Sequence, residues 1–449
     1  MKKPVAISPE TSCFPDNELP EGWKFVTILD ACEVNPPKPS KDFLPADAPV
    51  TFVPMPAVDA DMGAITNPQI KPYLEVRNGF TSFRDGDVIM AKITPCMENG
   101  KAAIVHGMKN GIGFGSTEFH VMRSRGEIIP DYLYYYIRQE SFRNEAESHF
   151  TGSVGQKRVP ADFIKQRVIP LPPLAEQQRI VARVEALLSH VNAARDRLSR
   201  VPLIMKKFRQ AVLAAGCSGR LTEGWRGGNP DVEPVDILKI DLHQKYKKSK
   251  FDDRELPQLP EKWRWTKLFD TVEINMGQSP PGDSYNQNGE GIPLINGPVE
   301  FGPTPFSETI KSKFTTHTTK LCKQNDLLLC VRGSTTGRIN IAGFDACIGR
   351  GVAALRSTTD QKYLTLFIHS QEDFIYSLGT GSTFPNISSD TIANLDFPLP
   401  PLAEQYEIVR RVGLLFERAD AFDREVAAVG RRCERLTQAV LGKAFAGKL

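Results

Sequence analysis

The chain has 449 residues, of which 41% are hydrophobic and 24% charged, with a net charge of +3; this is the composition of an ordinary globular protein with room for about three domains. A pI of about 8.3 falls short of the value above 9 typical of strongly basic nucleic-acid binders, so bulk charge is a weak signal for DNA binding and its distribution is more useful. No apolar run approaches the 18 residues of a membrane span, and no apolar stretch of a signal peptide follows Met1-Lys2-Lys3. The eight cysteines form no Cys-x-x-Cys pair and no zinc spacing, which points to reduced core thiols and a cytoplasmic location.

In chain order, residues 1–18 are expected to be an unstructured extension. Leu19-Pro20-Glu21-Gly22-Trp23 opens a first variable segment, 19–169, of mixed α and β character. Within it Asp87 to Ile93 is a buried-strand run led by a turn residue, followed by the polar loop Thr94 to Lys101. Gly111-Ile112-Gly113-Phe114-Gly115 is Gly-rich but has no following helix or acidic partner at dinucleotide-site spacing, and it is read as a turn. A helical stretch is expected over Asp131 to Arg143. The loop Thr151-Gly152-Ser153 then precedes the last strand.

Residues 170–221 form a long helical arm. Ile180, Val184, Leu187, Val191, Ala194, Leu198, Val201, Met205, Phe208 and Val212 recur at alternating steps of four and three, an unbroken heptad seam that argues for a coiled coil. The 33 positions from Ile180 to Val212 would span about 50 Å as helix. Pro172-Pro173 marks its start, and Pro202 interrupts the run. Residues 222–258 read as a linker carrying the basic run Lys245 to Lys250. Leu259-Pro260-Glu261-Lys262-Trp263 then opens a second variable segment, 259–397, with the strand run Asp326 to Arg332, the loop Gly333 to Arg338, a helical stretch Lys362 to Ser377 and the loop Thr380-Gly381-Ser382. A second arm, 398–449, repeats the first at an offset of 228, with 21 of 52 paired positions identical. Its seam is Ile408, Val412, Leu415, Ala419, Phe422, Val426, Val429, Cys433, Leu436 and Val440, with Gly430 at the place of Pro202; a kink is expected at both.

The chain is therefore a tandem duplication, and internal repetition fixes its architecture. The fold class is α+β: two pseudo-symmetric mixed α/β domains separated by two long helices that pair as an antiparallel coiled coil. The expected coiled-coil interface is Ile180, Val184, Leu187, Val191, Leu198, Ile408, Val412, Leu415, Phe422, Val426 and Leu436. Charge sits on the constant part: Pro170 to Glu255 holds 16 basic and 11 acidic residues, whereas Lys24 to Arg167 holds 17 of each.

Catalytic motifs are missing. Asn35-Pro36-Pro37-Lys38 has Lys38 where an amino-methyltransferase needs an aromatic residue to stack on the flipped base. The one carboxylate-x-Lys, Asp360-Gln361-Lys362, has no Pro-Asp in the thirty residues before it. There is no P-loop and no Gly-x-Ser-x-Gly, and the seven histidines are scattered. No catalytic or metal residue is expected.

The doubled Pro-Leu-Pro-Pro-Leu-Ala-Glu-Gln leading into a heptad helix, the Leu-Pro-x-x-Trp before each variable segment, the Gln-Ala-Val-Leu near each arm's end and Leu221-Thr222-Glu223-Gly224-Trp225-Arg226 together resemble the DNA specificity subunit of type I restriction-modification systems. The resemblance implies that the variable segments are target recognition domains, each reading one half of a split double-stranded DNA sequence, and that the arms fix the spacer and dock partners. Those partners would be two adenine-N6 methyltransferase subunits using S-adenosylmethionine, and restriction/translocase subunits using ATP and Mg; this chain itself would hold no cofactor and touch no membrane. Base-reading residues follow only from chemistry and position, since Arg and Lys suit guanine, Asn and Gln suit adenine, and Ser and Thr are permissive. The candidates are Lys92, Asn99, Lys101, Gln156, Lys157 and Arg158 in the first domain, and Arg332, Ser334, Thr335, Arg338, Arg350 and Asn386 in the second.

Overall fold

A computed structural model describes residues 19–60, 62–153, 156–236, 246, 256–379 and 385–449. The N-terminal extension, most of the basic run 245–250 and the loop Thr380-Gly381-Ser382 lie outside the described residues. The chain divides into two compact units, one of Met1–Arg200 with Val426–Leu449 and one of Val201–Glu425.

In the first unit Lys24–Thr27 pairs antiparallel with Val168–Leu171, Lys24 opposite Leu171. One sheet runs, in spatial order, Cys32–Val34, Phe119–Ser124, Val88–Ala91, Ala102–Ile104; a second runs Gln69–Pro72, Pro49–Val53, Ile112–Gly115, Thr81–Arg84. Only the pair Pro49–Val53 and Ile112–Gly115 is parallel in these sheets. The second unit repeats the plan. Arg264–Lys267 pairs with Asp396–Leu399. One sheet runs Val272–Met276, Val352–Ser357, Leu327–Cys330, Ile339–Ile341, and another centres on the parallel pair Ile292–Ile295 and Ala346–Ile348.

Alternation on the strands divides their side chains between separate cores. In Val88–Ala91, Val88 and Met90 face the helical layer with Tyr132, Ile137 and Ile164, while Ile89 joins Val53, Phe83 and Phe119 between the sheets. That is the period-two division of a strand buried on both faces. Leu327–Cys330 divides likewise, Leu327 and Leu329 to one core and Leu328 and Cys330 to the other. The turn residue ahead of each strand is also an anchor. Buried Asp87 accepts both prongs of Arg123 at 2.8 Å, and buried Asp326 accepts Arg356 at 2.8 and 2.7 Å.

The Gly-rich stretch expected to be a turn is instead the buried strand Ile112–Gly115. Its glycines admit neighbours rather than bend the chain: a Cβ on Gly113 would lie 2.3 Å from the Phe83 ring, and one on Gly115 2.6 Å from the Val53 carbonyl oxygen. The helical stretches also differ from expectation, each being divided in two: Pro130–Ile137 and Glu140–Ser148, then Gln361–Ser370 and Glu372–Ser377.

The arms begin at Leu174 and Leu402, just past each Pro-Pro. In the first unit the start of the first arm (Ile180, Val181, Val184, Leu188) shares a core with the end of the second (Leu441, Ala444, Phe445), and Arg195 pairs with Glu434. In the second unit the end of the first arm (Val212, Leu213) shares a core with the start of the second (Ile408, Val412), and Arg209 pairs with Asp420 and Asp423 at 2.5 and 2.8 Å. Start meets end in both, so the pairing is antiparallel.

Of the expected seam, Ile180, Val184, Ile408 and Val412 are buried, and Leu187, Val191, Leu198, Leu415 and Val426 are half-buried. Phe422 and Leu436 are 51% and 55% exposed, a correction to the heptad reading. Ala419 and Cys433 stay buried on the seam, but a straight helix drifts about 20° per heptad from a 3.5-residue repeat, and toward the end of the arm burial passes from Leu436 to the next residue, Thr437, and to Leu441. A break is present in one arm alone. The first arm breaks at Arg200 between the helices Leu174–Ser199 and Val201–Cys217, because Pro202 lacks an N–H and its ring clashes with the carbonyl four residues back. The second arm is one helix from Leu402 to Phe445, because Gly430 keeps its N–H and costs only about 1 kcal/mol.

The repeated heptapeptide is a clamp. Gln177 Oε1 accepts from the Ile129 N–H at the head of the helix Pro130–Ile137, while its Nε2 donates to the carbonyls of Glu127 and Pro172, both at 2.8 Å. Gln405 Oε1 accepts from the Asp360 N–H and its Nε2 donates to the Pro400 carbonyl. Tyr132 and Tyr363 donate to the carbonyls of Pro170 and Pro398 at 2.8 and 2.7 Å. Each domain is thus fixed to its own arm by the same bonds.

Candidate nucleic-acid interface

In the first unit the strand Val88–Ala91 runs out into the loop Lys92 to Lys101. Lys92 N–H donates to the Glu118 carbonyl at 2.9 Å, Val159 N–H to the Lys92 carbonyl at 2.8 Å, and Thr94 N–H to the Lys157 carbonyl at 3.0 Å. Arg158 is bridged to both Ile93 and Thr151. The post-strand loop and the loop after Thr151 therefore form one edge, with Lys92, Gln156, Lys157 and Arg158 along it. Gln156 and Lys157 are exposed and Lys92 is half-buried.

At least three candidate side chains of the twelve are already engaged within their own units. Arg158 grips Glu118 with Nε and a terminal nitrogen at 2.8 to 3.1 Å, and this guanidinium holds the Glu118 carboxyl below the usual carboxylate range. Lys101 Nζ donates to the Met55 carbonyl at 3.2 Å. Thr335 hydrogen-bonds the Cys330 thiol, which burial pushes up to about 12. Asn99 is exposed on the first loop.

Beneath the first edge lies buried His120. Its Nε2 faces the Val159 carbonyl at 2.9 Å, so that nitrogen carries the proton, and its Nδ1 accepts from Asn35 Nδ2 at 3.1 Å. Burial lowers its pKa, so the ring is neutral. The Asn35 of the failed methyltransferase motif is therefore a structural prop; its Oδ1 also caps the Val121 N–H at 3.0 Å.

The second unit makes the same edge from different residues. Val331 N–H donates to the Gly351 carbonyl at 2.9 Å, Ile387 N–H to the Val331 carbonyl at 3.0 Å, and Gly333 N–H to the Pro385 carbonyl at 3.0 Å; Arg332 is bridged to Asn386. Arg332, Ser334, Arg338, Arg350 and Asn386 are all exposed. Here the edge opens into a cleft of about 690 Å3 lined by Ser279, Tyr285, Asn296, Arg332, Gly333, Arg350 and Gly351. Asn296, Tyr285 and Ser279 were missed by sequence reasoning. No local pattern marks them; Asn296 reaches the cleft through the parallel register that sets Ile295 beside Ile348, Tyr285 lies on a strand paired with Phe314–Thr315, and Ser279 accepts from the Arg350 N–H.

Among the described residues no group of three or more His, Cys, Asp or Glu could hold a metal, and no helix is long and apolar enough to cross a membrane.

The sequence model of the type I restriction modification DNA specificity domain matches residues 20–200 and 260–420. The chain is 29% identical to the type I restriction enzyme EcoAI specificity subunit of Escherichia coli, over 93% of this chain and 81% of that one. It is 30% identical to the putative type I restriction enzyme MjaX specificity subunit of Methanocaldococcus jannaschii, over 73% and 71%. Among solved structures, a chain from a study of complex assembly and conformational transition of the type I R-M system superposes with a TM-score of 0.73 at 28% identity, covering 96% of this chain and 100% of that chain. The HsdS subunit of Thermoanaerobacter tengcongensis superposes with a TM-score of 0.53, also at 28% identity, over 96% and 98%. With two matching recognition units, each joined to one of two antiparallel arms, the chain belongs to the family of type I restriction-modification DNA specificity subunits.

Proposed function

We propose that each unit reads one half of a bipartite double-stranded DNA target through its two-loop edge, and that the arms set the unread spacer between the halves. The observation that carries this reading is the edge itself. The same backbone bonds join the same two loops in both units, at Lys92–Val159 and Val331–Ile387, while the exposed side chains differ. A constant scaffold with divergent loops suits two different readings by one fold. The chain performs no chemistry in this account. Adenine-N6 methyltransferase subunits carrying S-adenosylmethionine dock on it, and restriction/translocase subunits supply ATP- and Mg-dependent translocation and cleavage. Their surfaces also supply much of the phosphate neutralisation that a chain of net charge +3 lacks. The assembly works in the cytoplasm.

The test is methylation mapping in a host carrying the full system. A heptad inserted into the first arm is expected to change the spacer length and leave both half-site sequences intact. Changed half-site sequences would overturn the ruler. Methyl transfer by the purified chain alone would overturn the non-catalytic assignment.

A further inference from the structure

Resting on that reading, we infer that the second unit recognises guanine through Arg332 and Arg350, and that its half-site therefore carries the guanine read at this edge. The two arginines line the same cleft. Neither has a carboxylate or carbonyl partner for its guanidinium among the described residues. Other arginines of the chain are held: Arg123 and Arg158 of the first unit, and Arg226 and Arg356 of the second, each grip a carboxylate at 2.6 to 2.8 Å. An exposed arginine left free beside such economy is available to a ligand with acceptors.

Both arginines stand on fixed backbone. Arg332 is one residue beyond the buried strand pairings of Leu327–Cys330 and Val331, and it is bridged to Asn386. The next residue, Gly333, takes a φ of +85° and donates to the Pro385 carbonyl. Arg350 sits between two glycines that the cleft requires. A Cβ on Gly349 would fall 1.8 Å from Asn296 Oδ1, and one on Gly351 would fall 2.8 Å from the Asn296 carbonyl oxygen. The Arg350 N–H is tied to Ser279 Oγ at 3.2 Å. A guanidinium presents paired donors in a planar fork, and the major-groove edge of guanine presents the matching pair of acceptors, O6 and N7. Preorganised backbone lowers the ordering cost of that match.

The first unit lacks this chemistry at the same place. Matched backbone bonds make Glu118 the counterpart of Gly351, Arg158 that of Asn386 and Ile93 that of Arg332. The position before Glu118, matching Arg350, is Thr117. Apolar Ile93 and neutral Thr117 stand where the second unit has Arg332 and Arg350, and the closed pair Arg158–Glu118 stands where it has Asn386 and Gly351.

The test uses the full chain assembled with its methyltransferase subunits. Arg332→Ala, Arg350→Ala and the two Lys variants are compared with the parent in competition binding to a randomised oligonucleotide library. Each Ala variant is expected to lose roughly five- to 150-fold of its preference for guanine at a position of one half-site, the same half-site for both arginines, with the other half-site read as before. The Lys variants keep the charge but not the fork, so they are expected to retain the salt dependence and still lose discrimination. Uniform weakening on all sequences with base preferences intact would make these phosphate contacts and overturn the inference alone. So would a relaxed position that is A·T, or effects split between the two half-sites. A parent complex without any bipartite preference would overturn the underlying reading as well. Because neither guanidinium holds a partner among the described residues, unfolding of these variants is not expected, and their melting temperatures check this.

Discussion

Glu404 and Glu176 occupy the same place in the repeated heptapeptide, yet the structure gives them unequal work. Glu404 is buried and accepts from Trp263 Nε1 at 2.8 Å, from the Thr222 hydroxyl at 2.6 Å and from Arg226 at 2.6 Å. It thereby joins the lead-in of the second variable segment, the residues after the first arm and the start of the second arm, all within one unit. Glu176 pairs with Arg179 at the surface. Replacing Glu404 by Ala strands the buried Trp263 N–H at about 1–3 kcal/mol, leaves the Thr222 hydroxyl only its long bond to the Gly219 carbonyl as a donor, and leaves Arg226 without its carboxylate. The expected cost is about 3–5 kcal/mol, the range for breaking a buried charge pair from one side. Urea unfolding measures the total, and hydrogen exchange over 263–267 and 402–412 assigns it to the second unit. Glu176→Ala is expected to leave the unfolding curve unchanged. A cost below about 1 kcal/mol for Glu404→Ala, or equal costs for the two variants, would refute the reasoning.

Three further outcomes follow from the same contacts. Asp326→Asn removes the carboxylate that holds Arg356 and caps the Lys323 N–H at 2.8 Å; thermal unfolding is expected to show a loss of about 2–3 kcal/mol. Hydrogen bonds from Arg410 and Arg411 hold the Glu407 carboxyl down at about 2. Because the folded value is depressed, its stabilisation is complete above the unfolded value near 4.5 and is lost as pH falls toward 2; the melting-temperature gap between the parent and Glu407→Gln is expected to be constant above pH 5 and to close below it. A Cβ at Gly430 would meet nothing within 4 Å, whereas one at Gly216 would lie 3.1 Å from Ile408. Gly430→Ala is expected to stabilise by about 0.5–1 kcal/mol and Gly216→Ala to destabilise, both read by urea titration.

What could be read from the sequence was what repeats locally. The heptapeptide, the heptad steps and the Pro-Pro starts gave the arms and their antiparallel pairing, and the strand-then-loop pattern after Asp87 and Asp326 located both edges. What depends on distant partners was illegible. Asp87 looked like a turn residue, and nothing near it announced Arg123. Lys101, Arg158 and Thr335 looked free, and their engagement with Met55, Glu118 and Cys330 arises only on folding. Gly113 and Gly115 suggested a turn, but Phe83 packs where their side chains would be. The heptad count held at Ile408, Val412, Ala419 and Cys433 and failed at Phe422 and Leu436; by Leu436 accumulated drift had moved burial to the next residue, Thr437.

The ribbon that opens and closes each variable segment has a consequence for how such chains diversify. Lys24 lies opposite Leu171 and Arg264 opposite Leu399, so the chain leaves each domain beside the point at which it entered. Everything between Thr27 and Val168, or between Lys267 and Asp396, hangs from one short two-stranded stem. The stem's bonds are mostly main chain to main chain and depend little on residue identity. A recombination event that cuts at both feet of the stem transplants a whole domain, and the side-chain contacts to be remade are those with the constant arms, such as Gln177 with the Ile129 N–H and Tyr132 with the Pro170 carbonyl, so new specificities can be acquired as cassettes rather than built one substitution at a time.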